Sequence, residues 1–485
     1  DGSVDRQRAT RSLLSTAVPG SVAGLTLVQR CYGRLQLPQV MAPAIRLAGG
    51  GFPVSHELSR SLEVAAPRLQ ADPVARRLFY RPVDRPAAAG AAAWRAPRPG
   101  ELLHQPELAS TLRRIAAAGE KGFSSGPVAA ALVALMEERG GLITAADLGG
   151  YRARLVKPLQ GRFRGHPVLT MPPPSSGLTL LQLLGILEPF DLTGLGLNSA
   201  ASLHLLVEAM NLAYHERNTL LGDPEQIAIP VDRLLSARHL DGLRRRIDRR
   251  RHRPPASIAP SIAAPPAESP QTTHVSVADR RGGKVALTTT LNFSYGNGIA
   301  VPTAGFLLNN EMDDFSARPG SPNAFGLVQG ANNAIAPGRR PLSSMSPTLV
   351  FRPGGDPWLA TGSPGGSRII TTVLQVLLNR MVHGLNLAGA VAAPRVHSQL
   401  LPDRVDLEQG ISPDTRRLLE GMGHSLRESF AMGAANSVEV LPPAGRGGSA
   451  WPIGGTVGVV DPRRAEGLAQ GEGDRLRPHA SALPP

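Results

Sequence analysis

The chain has 485 residues, enough for a large core and more than one domain, and its 52 basic against 38 acidic residues give a net charge of +14. The excess is arginine: Lys121, Lys157 and Lys284 are the only lysines, and the one dense basic run, Arg244 to Arg253, contains no aromatic residue and reads as a solvated helix end, not a nucleic-acid surface. The single cysteine, Cys31, excludes an internal disulfide and a cysteine metal cluster, and no apolar run approaches the length of a membrane span. The chain opens at Asp1-Gly2-Ser3 with neither an initiator methionine nor a secretion signal, as a mature form or a fragment would.

Up to about Arg250 the pattern is helical. Ser110 to Ala118 and Pro127 to Glu138 read as helices. Pro172, Pro173 and Pro174 stop a short strand, Ser175-Ser176-Gly177 turns the chain, and a leucine-rich helix follows. Ala201 to Asn218 places Leu203, Leu206, Met210 and Ala213 at helical spacing, which predicts one apolar face. Residues 251–271, RHRPPASIAPSIAAPPAESPQ, form a linker whose prolines forbid a continuous helix and which cannot pack a core. From Thr272 onward the period is two. Val275 and Val277 alternate with polar neighbours, Arg280-Arg281-Gly282-Gly283 reverses the chain, and Val285, Leu287, Thr289 and Leu291 alternate again, which predicts a hairpin. Ser367 to Asn379 reads as a buried helix, and 437–440 with 456–459 as a second hairpin. Residues 465–485 read as a disordered tail.

Several common signatures are missing. No Gly-x-x-x-x-Gly-Lys phosphate loop and no Gly-x-Ser-x-Gly elbow occur, and Gly194-Leu195-Gly196 is weak as a dinucleotide site. The 12 histidines include no His-x-His or His-x-x-x-His pair, so no zinc site is expected. The Asn292-Phe293-Ser294 sequon reads as accidental.

The most informative point is Thr272-Thr273-His274. An exposed tether runs straight into a strand that opens with a hydroxyl residue. Cutting before Thr272 would put a free amine beside a hydroxyl nucleophile on one residue, a known route to nucleophilic catalysis. His274 could share a strand face with Thr272 as a general base, and a structural role is at least as fitting. Polar loops follow in order: Thr290 and Asn292, then 309–314 (NNEMDD), then 343–346 (SSMS). Gly362-Ser363-Pro364-Gly365-Gly366-Ser367 leads into the buried helix, where glycines bare N–H groups toward an anion, as an oxyanion hole needs.

These residues resemble the γ-glutamyltransferases, members of the N-terminal-nucleophile hydrolases. The likeness runs from 16–24 (TAVPGSVAG) through 172–177 (PPPSSG), 221–224 (LGDP), Thr272-Thr273-His274, 307–316 (LLNNEMDDFS), 340–347 (RPLSSMSP) and 362–368 (GSPGGSR) to Asp461-Pro462-Arg463. The resemblance implies an α+β fold, a four-layer αββα sandwich. It implies a large-subunit part over 1–250, the linker 251–271, a small-subunit catalytic part over 272–464 and the tail. It implies self-cleavage between Gln271 and Thr272, with Thr272 as nucleophile, Thr290 positioning it, and Gly365 and Gly366 as the oxyanion hole. Asn292, Glu311 and Asp314 would hold an α-ammonium, and Ser343 and Ser344 an α-carboxylate. Residues 319–341 would be a lid, with Phe325 as its aromatic cover.

The implied activity is γ-glutamyl transfer from glutathione or other γ-glutamyl compounds to water, amino acids or peptides, by a heterodimer cut from one precursor. No metal or organic cofactor is implied, and a periplasmic or secreted location is. The family's carboxylate-binding arginine sits in an Arg-Glu-x-Ala-Pro segment that this chain does not contain, and Arg339 or Arg340 are the candidates to replace it. The competing readings are a glutaryl- or cephalosporin-type acylase of the same superfamily and a truncated, inactive homologue.

Overall fold

The computed structural model describes residues 3–83, 93–258, 272–442, 455–464 and 466–471. Most of the proposed linker, Gln271 included, and most of the tail lie outside these residues.

Two helices, α1 (Pro106–Ala118) and α2 (Gly126–Arg139), start on a proline at the first or second position, where its missing N–H costs nothing. Strands β1 (Leu159–Phe163) and β2 (His166–Thr170) form a tight hairpin, and the proline run after β2 ends it. Helix α3 (Gly177–Leu187) follows and is leucine-rich on every side, so it is buried almost throughout. Helix α4 (Ala200–Leu220) differs from the sequence expectation of one apolar face. It has no solvated face, and His204, Glu208, Asn211 and Arg217 are buried with the leucines. Each of these polar groups has a hydrogen-bond partner elsewhere in the chain, which is what allows it to be buried.

After the linker, β3 (Thr273–Ala278) and β4 (Lys284–Thr289) pair in register from Thr273↔Thr289 to Ala278↔Lys284. The turn is held by Asp279 Oδ1, which accepts from the N–H groups of Arg281 at 2.8 Å and Gly283 at 2.7 Å. The alternation is present with its polar side inward. His274 is buried, while Val275, Val277 and Val285 are 46%, 49% and 51% exposed. Hydrogen bonds explain the facing: His274 Nε2 meets Ser276 Oγ at 2.9 Å, and Ser276 Oγ donates to the Asn436 carbonyl at 2.9 Å.

Strands β5 (Thr348–Phe351) and β6 (Pro357–Gly362), helix α5 (Arg368–Met381), β7 (Val405–Glu408), β8 (Leu426–Ser429), β9 (Asn436–Leu441) and β10 (Gly455–Val459) complete the part of the fold that matters here. The main sheet has six antiparallel strands in the order β10-β9-β6-β5-β2-β1. It therefore joins strands from both sides of the linker. The β3–β4 hairpin packs on β6 and β9, and helices α3, α4 and α5 share the largest core with the sheet, through Leu180, Leu184, Val207, Met210, Val350, Leu359, Ile370 and Leu374. A second core joins α1 and α2 to Ile299, Val301, Ala304 and Leu308. The linker marks a break in the chemistry of the chain, and the packing is continuous across it.

The linker's first residues also differ from the tether expected. Ile258 joins the main core, and the His252 N–H donates to the Met422 carbonyl at 2.7 Å. The His252 ring bridges Glu208 Oε1 at 2.7 Å and Asp403 Oδ1 at 2.9 Å, so 251–258 is docked. Beside it, His204 and His424 are joined ring to ring at 2.7 Å. His204 and Glu208, four apart on α4, thus meet the distant His424 in a histidine–glutamate cluster.

Candidate active site

Thr272 sits just before β3 and is buried. Its Oγ1 donates to Thr290 Oγ1 at 3.2 Å, and the same Thr290 oxygen accepts the Asn292 N–H at 2.8 Å. The hairpin register makes this pairing: Thr273 faces Thr289, so the residues just beyond each strand end, Thr272 and Thr290, are neighbours. Asn292 turns the chain with a φ of 71°, a left-handed conformation that asparagine tolerates well. Its Nδ2 donates to the Asn310 carbonyl at 3.0 Å, and Asn310 Oδ1 accepts from the Phe293 N–H at 3.0 Å.

Asn310 leads directly into the acidic turn Glu311–Asp314. Glu311 is half-buried, but its Oε2 is inaccessible and has no hydrogen-bond partner, and the same holds for Asn310 Nδ2. Burial, then the charge of Asp313, pushes the Glu311 carboxyl up to about 7. Burial, then Glu311 and Asp313, pushes Asp314 well above the usual carboxylate range, with Arg217 opposing. Two carboxyls crowded out of water resist ionisation unless a cation joins them.

Arg217, near the end of α4, is only 1% exposed. Its Nη2 donates to Ser344 Oγ at 3.0 Å and its Nε to Ser176 Oγ at 2.9 Å. Ser176 Oγ in turn donates to the Ser343 carbonyl at 2.6 Å, and Ser175 Oγ donates to the Met345 carbonyl. The proline-rich turn before α3 therefore braces the loop that carries Ser343 and Ser344.

The segment 319–341 is folded down over this region. Gln329 Nε2 and Asn333 Nδ2 donate to the Asp314 carbonyl at 3.1 and 2.7 Å. Phe325 is buried and meets the Phe293 ring edge-on at 5.6 Å, next to Asn292. Gly365 and Gly366 lie between β6 and α5 with φ of 138° and 54°, which glycine adopts freely. Their N–H groups have no acceptor among the described residues. Ser367 beside them is tied through its carbonyl to the Tyr214 hydroxyl, one turn before Arg217 on α4.

The structure thus joins Thr272, Thr290, Asn292, Glu311, Asp314 and Ser344 through successive contacts, with Ser343 on the same loop. The glycine pair is connected to this group through the β6 end and Tyr214, not by a direct contact. His274 takes no part. Its ring bonds Thr288 Oγ1 and Ser276 Oγ, lies against Gly362, and burial pushes its pKa down to about 4. Arg339 and Arg340 do not reach Ser343 or Ser344. Arg339 binds Gln226 and the Ala334 carbonyl, while Arg340 lies over the Tyr151 ring and binds the Arg152 carbonyl. Arg217 is the residue that sequence reasoning missed. Its own helix pattern gives no sign of it: besides its neighbour Asn218, whose Oδ1 accepts from Nη1 at 3.1 Å, its partners lie 41 and 127 positions away.

Against known proteins, a family model described as Gamma-glutamyltranspeptidase matches residues 1–471. The glutathione hydrolase proenzyme of Escherichia coli (strain K12) is 41% identical over 471 residues, 97% of this chain and 77% of that protein. The acylase ACY 1 proenzyme of Pseudomonas sp. (strain SE83) is 33% identical over 93% of this chain and 78% of its own length. A solved structure of cephalosporin acylase from Bacillus halodurans matches with a TM-score of 0.77 and 26% identity, over 94% of this chain and 78% of that one. The fold is the α+β, αββα sandwich of the N-terminal-nucleophile hydrolases, and the chain belongs to the gamma-glutamyltranspeptidase family.

Proposed function

We propose that the chain is the precursor of a γ-glutamyl transferase and hydrolase that acts on glutathione and other γ-glutamyl amides. Thr272 Oγ1 attacks the Gln271 carbonyl, an N-to-O acyl shift follows, and hydrolysis of the ester leaves Thr272 with a free amine. Large and small chains then stay together as a heterodimer, held by the cores that span both.

In the mature enzyme the Thr272 amine, with an ordinary pKa near ~8, takes the proton from its own hydroxyl. The oxygen attacks the γ-carbonyl carbon, and the Gly365 and Gly366 N–H groups receive the oxyanion. Collapse breaks the amide bond, the amine returns the proton to the leaving nitrogen, and a γ-glutamyl ester remains on Thr272. Water or an acceptor amine then attacks that ester. Thr290 holds the nucleophile in place. Asn292, Glu311 and Asp314 receive the α-ammonium, Ser343 and Ser344 the α-carboxylate, and 319–341 covers the bound group. Family membership alone supports a periplasmic or secreted location.

The observation that carries the substrate assignment is the buried, unpartnered Glu311 Oε2 beside Asp314. An ammonium on the acyl group supplies the missing donor, and a glutaryl group, which lacks it, does not. The acylase relatives make glutaryl amides the second reading. Purified enzyme is compared on γ-glutamyl-p-nitroanilide and glutaryl-p-nitroanilide. The proposal expects hydrolysis of the first and little of the second, and equal or reversed rates would favour the acylase reading.

A further inference from the structure

We infer that Arg217 is a positioning residue for the substrate's α-carboxylate, setting the direction of the Ser344 hydroxyl and, through Ser176, the placement of Ser343. The inference rests on the γ-glutamyl reading above and adds a buried cation to it.

The argument is an inventory of protons. A guanidinium donates and never accepts. In the Arg217 Nη2–Ser344 Oγ contact, the serine oxygen must therefore be the acceptor. Its one proton is left to donate, and it finds no acceptor among the described residues. Ser343 Oγ is in the same position: it accepts the Met345 N–H at 3.2 Å and keeps its proton. Ser176 relays the polarity, accepting from Arg217 Nε and donating to the Ser343 carbonyl. Two serine protons are thus left without an acceptor among the described residues, free for an incoming anion.

Charge points the same way. Arg217 is almost fully buried, and among the described residues no carboxylate lies within ion-pair distance of it. A buried cation without a counter-ion is costly, so the pocket favours an incoming anion. Asp314 is the acidic group that the Arg217 field reaches, and burial, then the charges of Glu311 and Asp313, raises its pKa. A ligand with a carboxylate at the serine end and an ammonium at the Glu311 end satisfies both halves, which is the arrangement of an α-amino acid.

The test uses the self-processed enzyme and two chromogenic amides, γ-glutamyl-p-nitroanilide and 4-aminobutyryl-p-nitroanilide. The second keeps the amine and the scissile amide but lacks the α-carboxylate. The readout is the ratio of kcat/KM on the first to kcat/KM on the second. Arg217→Gln is expected to lower this ratio about 10- to 100-fold, mainly through KM on the γ-glutamyl substrate, with Arg217→Lys between it and wild type. An unchanged ratio, with both substrates losing equally or neither losing, overturns the inference. If Arg217→Gln does not fold or process, Ser176→Ala decides, because it removes one anchor of Arg217 and the brace on Ser343. Its ratio must also fall, and an unchanged ratio overturns the inference. A wild-type enzyme inactive on both amides overturns the γ-glutamyl reading itself, and this inference with it.

Discussion

Glu311→Gln is an isosteric change that removes one ionisable group from the acidic turn. In the empty site, the rise of the Glu311 carboxyl from its ordinary 4.5 to about 7 corresponds to about 3 kcal/mol against the ionised form. Glu311 also helps to raise Asp314, so removing its charge relieves both groups in part, by roughly 1–3 kcal/mol. The sign follows from the direction of the shift. The folded value lies above the unfolded one, so the stabilisation is fully present below about pH 4.5 and is lost as pH rises through about 7. Thermal melts of substrate-free wild type and Glu311→Gln should coincide near pH 4.5. At pH 8 the variant should melt higher, on the order of 1–4 °C. The same variant should bind γ-glutamyl-p-nitroanilide worse, with KM raised about tenfold or more, because a charge-assisted bond to the ammonium is lost. A stabler apo-enzyme with poorer binding is the signature of a carboxylate held without its partner. A difference in melting that does not change between pH 4.5 and 8 would refute the reasoning.

Thr290→Ala removes the oxygen that both Thr272 and the Asn292 N–H address, and kcat should fall about tenfold or more while KM changes little, measured on processed enzyme. Gly362→Ala would set a Cβ about 2.2 Å from the His274 ring, so a loss of roughly 2 kcal/mol or more is expected, read as a lower melting temperature or insoluble protein. His252 is shifted down by burial and up, by more, through its bonds to Asp403 and Glu208, for a net value of about 9. His424 and His204 complete its titratable surroundings. Its folded value is raised, so its contribution is complete below about pH 6.5 and disappears as pH climbs through about 9. His252→Gln should therefore cost roughly 1–3 kcal/mol at pH 6 and much less at pH 10, by melting at both values.

The period-two stretches after Thr272, the buried helix after the glycine loop and the hairpin turn at Gly282-Gly283 were all legible, because each rests on local spacing and local turn chemistry. The polar residues from Thr290 to Ser344 each read locally as an ordinary turn, and only their joint order after Thr272, matched to a family, grouped them. What stayed hidden depends on distant partners. Arg217 lies on a helix that reads as amphipathic, and only the return of Ser176 and Ser344 to its flank shows why an arginine is buried there. Arg339 and Arg340 were nearer in sequence to Ser343 but are turned toward Gln226 and Tyr151. The hairpin's period was readable and its facing was not, because His274 and Ser276 go inward only once Thr288 and Asn436 are there to bond them. The docking of 251–258 was masked for the same reason: a proline-rich stretch carries no sign of the glutamate and aspartate that grip His252.

The central claim is that Thr272 makes its own amine and then uses it. Intact-mass measurement of purified wild type and Thr272→Ala tests this most directly. Wild type should resolve into two chains, one ending at Gln271 and the other beginning at Thr272. Thr272→Ala should remain one chain and be inactive on γ-glutamyl-p-nitroanilide. Cleavage of Thr272→Ala at the same bond, or full activity from an uncut wild-type chain, would contradict the account.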